Sequence, residues 1–354
     1  DGSAARAPAV SKATSPIHTS AGTIAVRLLP RHPPTARGTR AELGVMRRLA
    51  ALLSALSLML AVLCGLIRPW YQSWGARKDE LAMMLPGDEL GFPGRVETRA
   101  ISIRAPAERV FAWASQLGRD RAGFYSYELL EDLAGCEMPR LDRLEPALQR
   151  WSIGQKLWMY PPDKLHGQGY ATLLDYEPGR ALVFGTHAAD AAAGSVPNGT
   201  WAFIVEPEGT RAARLIVRGR GAAAGSWLGT VFQRTVFEPL QFAMERRMLE
   251  GIRALSEGRS PPSRTADAFL LCSWAISFGA LIVLGTLVLV GARPLRALLG
   301  FSTAGVGFQC LTFLQPPLLV ALAVLCALLP FLPLTRGARA QLEPEVPHPL
   351  QQAS

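Results

Sequence analysis

The sequence has 354 residues, of which only 18% are charged, and its mean hydropathy is +0.18. Two ordinary soluble domains would carry more charge than that, so the apolar content must be concentrated in particular segments. The formal charge of +9 does not point to a nucleic-acid partner, because many arginines flank apolar runs and no basic stripe is interleaved with aromatics.

Residues 1–44 are rich in Ala, Pro, Ser, Thr and Arg with no apolar period and read as disordered. Met46-Arg47-Arg48 then looks like a start codon followed by the basic flank of a signal anchor. Leu49 to Ile67 is 19 residues without a charge, enough to cross a hydrocarbon core of roughly 30 Å. A transmembrane helix is therefore expected over 45–68. Trp70, Tyr71 and Trp74 after it suit an interfacial aromatic belt.

Residues 71–262 are expected to form one water-soluble domain. Val96–Ile103 alternates as a strand, Ala105-Pro106 opens a helix with Val110, Trp113 and Leu117 on one face, and Ser126–Leu133 reads as a second short helix. Five strand-like stretches follow: Lys156–Tyr160, Tyr170–Tyr176, Ala181–Thr186, Thr200–Glu206 and Ala212–Arg220. A long amphipathic helix closes the series over Val236–Glu257, with Met244, Met248 and Ile252 on its apolar face. This order of elements predicts an α+β fold, an antiparallel sheet gripping the last helix.

A second transmembrane helix is expected over 267–291. Ala297–Thr335 holds 39 uncharged residues, about twice a bilayer's need, and Gln315-Pro316-Pro317 breaks it into a transmembrane hairpin over 297–335. That makes four spans, with Leu298–Leu314 the least apolar, followed by a disordered tail at 336–354. Lys and Arg near the span ends set orientation. Arg37, Arg40, Arg47, Arg48, Arg293, Arg296, Arg336 and Arg339 would be cytoplasmic with the first helix entering from inside. Arg68, Arg77, Lys78, Arg253, Arg259 and Arg264 would be cytoplasmic the other way round; eight against six leans to an extracytoplasmic domain on a bacterial inner membrane, and with Met46 as the start the count becomes six against six. Of the five cysteines, only Cys136 falls outside the apolar runs, so the soluble domain has no internal disulfide.

The soluble part resembles the SRPBCC superfamily, the START and birch-allergen-like helix-grip domains, and within it bacterial proteins termed polyketide cyclase/dehydrase-like. The stretches that carry the resemblance are Trp74-Gly75-Ala76, Leu85-Pro86-Gly87-Asp88-Glu89, Ile101 to Pro106 with Trp113 and Gln116-Leu117-Gly118, Gly123 to Glu128, Leu133 to Cys136, Gly199 to Phe203, and Glu238 to Leu249. The resemblance implies a seven-stranded antiparallel sheet around the C-terminal helix, enclosing a cavity for an apolar small molecule. It implies no reaction, since one fold hosts many chemistries.

The residues themselves show no metal-ligand cluster, since His166 and His187 are isolated, and no nucleophile elbow, P-loop or dinucleotide fingerprint. No metal, cofactor or catalytic residue is assigned. The ligand-binding candidates are Tyr125, Tyr127 and Glu128 as polar groups near the cavity mouth, with Trp158, Tyr160, Trp201 and Phe203 as apolar walls. The competing reading, and the somewhat better supported one, is that the same aromatics fill the space between sheet and helix. Glu128 or Glu131 would act as a general acid only if burial raised its pKa. The leading function is a membrane-anchored module binding a hydrophobic small molecule or lipid. The alternatives are a cyclase- or hydrolase-type enzyme on an apolar substrate, and a membrane signalling or structural protein with a filled cavity. Ligand identity and oligomeric state are not encoded in any motif.

Overall fold

The computed structural model describes residues 36–90, 94–186, 198–222, 224–261 and 263–332. The described residues from Gly44 onward form one compact unit. The fold is α+β. Helix α1 (Ala36–Val62) runs into a π-helical turn (Leu63–Ile67) and then α2 (Arg68–Gln72). A short helix α3 (Lys78–Ala82) precedes strand β1 (Arg95–Ile103), and α4 (Ala107–Ala114) and α5 (Glu128–Leu133) follow it. Then come β2 (Lys156–Trp158), β3 (Tyr170–Glu177), β4 (Ala181–Thr186), β5 (Gly199–Pro207) and β6 (Ala213–Gly221). Helix α6 (Trp227–Phe232) passes through a second π-helical turn (Gln233–Phe237) into α7 (Glu238–Ser256). Helices α8 (Arg264–Val290), α9 (Pro294–Leu314) and α10 (Leu318–Cys326) complete the described chain.

The strands pair antiparallel in the order β1-β6-β5-β4-β3-β2. Six strands are present among the described residues, where the resemblance implied seven. Register is fixed by pairs such as Arg95 opposite Gly221 and Phe184 opposite Trp201. On one face Leu182, Phe184, Phe203 and Leu215 pack against Met248, Leu249, Ile252 and Leu255 of α7. Burying that stripe is what holds the helix across the sheet.

The other face is covered as well, which is why β4 reads as a continuous apolar run rather than an alternating one. Leu85, from the segment after α3, packs on Ala100, Ala181, Val183, Ala202, Ile204 and Ile216. Ion pairs pin this strap: Arg214 to Glu80 at 2.6 Å, and Arg218 and Arg220 to Asp88 at 2.5 and 2.7 Å. Gly87 has φ +92°, and a Cβ there would lie 2.8 Å from Val183 Cγ1. Only glycine takes that backbone conformation and that closeness without strain.

Both π-helical turns have the same local cause. Pro69 and Pro239 stand one residue inside the helices that follow, and a proline ring clashes with the carbonyl four residues back. Those carbonyls belong to Gly65 and Thr235, each in the middle of its π turn. Widening the turn lets each helix continue past its proline. The residues just before the two prolines then meet, Arg68 Nε standing 2.7 Å from Glu238 Oε2.

Among the described residues, three helices are long and apolar enough to cross a membrane: Arg40–Gln72, Arg264–Val290 and Pro294–Leu314. The fourth expected span differs. Leu318–Phe331 is apolar but shorter, because Pro316 and Pro317 delay its start and a 3-10 turn at Leu329–Phe331 ends it. The expected tail at 336–354 and most of the expected N-terminal segment lie outside the described residues.

Candidate functional site

An apolar cavity of about 190 Å³, open to the surface, lies between α7, α5 and the sheet. Met138, Met159, Met244 and Met248 line it together with Phe124 and Trp201. Thioether side chains have three rotatable bonds and a polarisable sulfur, so such walls adapt to irregular ligand shapes. The polar groups at its surface are Ser126, Glu131, Cys136, Tyr160, Gln241 and Glu245. On the outer side of α5 a wider groove of about 440 Å³ shares Phe124, Ser126 and Glu131 with the cavity. The groove runs to Ser260, Pro261, Ser263 and Arg264, at the start of α8.

The loop before α5 is held against α7 by a close approach. A Cβ on Gly251 would lie 2.5 Å from the Tyr125 carbonyl oxygen, so a glycine in the middle of α7 lets this loop dock. Ser126 Oγ donates to the Met244 carbonyl at 2.7 Å. The docked loop starts α5 with Glu131 turned inward, 5% exposed. Its Oε2 has no hydrogen-bond partner. Burial, helped by the neighbouring Asp132, pushes the Glu131 carboxyl up to about 7. A carboxylate in an apolar enclosure is destabilised relative to its neutral form, which is the physical origin of that shift. Cys136 is raised by burial, so its thiol is not an activated nucleophile.

Glu245 and Gln241 connect the cavity to a buried polar ladder. Arg99 is wholly buried and donates to Glu245 Oε1 at 2.9 Å, Glu97 Oε2 at 2.8 Å and the Tyr71 carbonyl at 2.9 Å. Gln241 Nε2 donates to Glu97 Oε1 at 2.6 Å. Arg95 stands 3.6 Å from both Glu97 and Glu238, and Arg68 and the Tyr71 hydroxyl close on Glu238. Burial raises the proton affinity of the Glu245 carboxyl, with the Arg99 guanidinium opposing it. Three arginines thus face three glutamates between the cavity and α2.

The residues anticipated from sequence are distributed over several places. Tyr160 and Trp201 line the cavity. Tyr125 and Glu128 line the groove, where Glu128 pairs with Arg140 and with Arg264. Tyr127 turns toward the apolar helices, its ring 5.3 Å from that of Trp274, and borders a third pocket of about 180 Å³ beside Gln315, Pro316 and Pro317. Trp158 packs on Tyr170 at 5.1 Å near the β2 edge. Phe203 is buried in the core, 4.6 Å from Trp201 and 6.2 Å from Phe184. The methionine lining was not assigned from sequence. Met244 and Met248 were visible as the apolar face of a helix, but spacing does not separate a face that meets side chains from one that meets a void. Among the described residues no group of His, Cys, Asp and Glu could hold a metal ion.

No protein-family model matches the sequence, and no curated protein matches it. Solved structures match about half of the chain. A protein from Mesorhizobium loti is 15% identical, with 47% of this chain covering 99% of that one at a TM-score of 0.27. One from Bordetella parapertussis is 17% identical over 50% of this chain and 83% of its own, TM-score 0.27. A Corynebacterium glutamicum protein described as polyketide-cyclase-like is 15% identical over 46% and 88%, TM-score 0.23. Identities and scores this low carry no argument about function, and the α+β assignment stands on the sheet register and helix packing above.

Proposed function

We propose that this chain is a membrane-anchored binding module of the SRPBCC type, whose cavity holds a small hydrophobic molecule and whose apolar helices fix it to a bacterial inner membrane. The observation that carries this reading is the methionine-lined cavity left open between α7 and the sheet. At about 190 Å³ it exceeds the roughly 150 Å³ apolar cavity that takes up benzene but is smaller than the roughly 300–1,000 Å³ of drug-sized sites. It fits one ring or a short chain rather than a whole two-chain lipid. The groove beginning at Arg264 gives such a molecule a route past the first turn of α8, where the aqueous phase meets the membrane. A cyclase- or hydrolase-type enzyme is the second reading, and the one observation favouring it is the Glu131 carboxyl near neutrality, the range of a general acid.

The test is mass spectrometry of small molecules retained by the full chain purified in lipid nanodiscs, compared with Met244→Trp, which fills the cavity. A compound retained by the wild type and lost from the folded variant is expected. A compound retained equally by both would place binding elsewhere and end this reading.

A further inference from the structure

Taking the cavity as a ligand site, as proposed above, we infer that its ligand is a small amine, positively charged at neutral pH, and that Glu131 receives its nitrogen. The argument rests on a buried acid that no ion pair includes. Behind the cavity, Arg68, Arg95 and Arg99 are matched by Glu97, Glu238 and Glu245. On the groove side Arg140 and Arg264 lie against Glu128, and Arg247 pairs with Asp267 at 2.5 Å. Each of these guanidiniums already stands against a carboxylate. Glu131 is in none of these pairs: it is 5% exposed and its Oε2 has no hydrogen-bond partner.

The other titratable groups around it are Cys136, Tyr160 and Glu245 on the cavity side, and Tyr125, Glu128, Asp132, Arg140, Asp142, Arg247, Arg264 and Asp267 on the groove side. The three arginines stand against Glu128, Asp132 and Asp267, and none of them pairs with Glu131. A buried polar atom without a partner is rare in folded proteins, because leaving it unmade forfeits the hydration it had. A ligand that brings its own cation supplies both the missing hydrogen bond and the missing charge. A neutral ligand supplies at most the first. The walls suit the same molecule, since Phe124, Tyr160 and Trp201 present ring faces that attract a cation. The raised Glu131 carboxyl is what an acid shows when its counter-charge is absent.

Calorimetric titration of the full chain in phosphatidylcholine nanodiscs, with 2-phenylethylamine and 2-phenylethanol as probes sharing one apolar body, tests this. The amine is expected to bind about ten- to a hundredfold more tightly than the alcohol at pH 8, the range of a charge-assisted hydrogen bond. In Glu131→Gln, with folding confirmed by its melting transition, that ratio is expected to fall to near one. Equal binding of both probes to the wild type, or a tighter alcohol, would overturn the amine assignment and leave the cavity reading standing. An amine preference that survives in Glu131→Gln would overturn the role of Glu131. Binding of neither probe to the wild type would remove the cavity reading and the inference with it.

Discussion

Glu131 is the residue at which burial and chemistry are least reconciled, and its titration makes a prediction independent of any ligand. Its carboxyl is near its ordinary value of 4.5 in the unfolded chain and pushed up to about 7 in the fold. Between those values the folded state holds a proton that the unfolded state has lost, so stability falls as pH rises through this window and changes no further above it. The full loss is about 3 kcal/mol. Glu131→Gln has no such proton, so its melting temperature should gain on the wild type from pH 4.5 to 7 and keep a constant lead above that. Parallel pH profiles for the two proteins would show that Glu131 is not held neutral by burial. The sequence already offered Glu128 and Glu131 as candidate acids, three residues apart on one short helix. It could not say which of the two faces inward. That depends on where Arg140 and Arg264 come to rest, and these approach Glu128 from distant parts of the chain. The aromatics were ambiguous for the same reason, because Trp201 and Phe203 have the same strand alternation but one borders the void and the other the core.

Elements were more legible than residues, since the periods that define them are local. β4 has the expected bounds, and β3, β5 and β6 lie within a residue or so of theirs. Met248 sits on the predicted face of α7, 2% exposed among sheet side chains. Met248→Asp would bury an unpaired charge there at a cost of several kcal/mol, comparable to the total stability of a domain. The expected result is loss of the cooperative melting transition in the purified protein. An unchanged melting temperature would remove α7 from the core. The start of this helical stretch was not legible. Its sequence reading began at Val236, whereas the chain is helical from Trp227, through the π turn at Gln233–Phe237. In the same way, α1 continues past Pro69 into α2. The paired kinks bring Arg68 to Glu238, a contact across 170 residues that no local pattern announces.

At the scale of the whole molecule the apolar helices and the domain are tied at several points, and these contacts constrain topology. α8 leaves from the domain's side, where Asp267 pairs with Arg247. α9 returns to it, its end held by Arg246 donating to the Phe313 carbonyl at 2.7 Å and Gln315 to the Ala243 carbonyl at 2.7 Å. The turn between α8 and α9 therefore lies at the opposite end, with Arg293 and Arg296. The shorter Leu318–Phe331 segment reaches that end too, because Arg296 Nε donates to the Pro330 carbonyl at 2.9 Å. On the sequence expectation the domain faces away from the cytoplasm. Ser260 is exposed between α7 and α8, close to the groove and outside the apolar helices. In cells carrying Ser260→Cys, a thiol reagent unable to cross the inner membrane should label intact spheroplasts. Cys136 is buried, and Cys64, Cys272, Cys310 and Cys326 lie within apolar helical segments, so the wild type gives the background. Labelling that appears only after lysis, in a protein with an unchanged melting transition, would put the domain in the cytoplasm. The ligand would then have to reach the groove from that side.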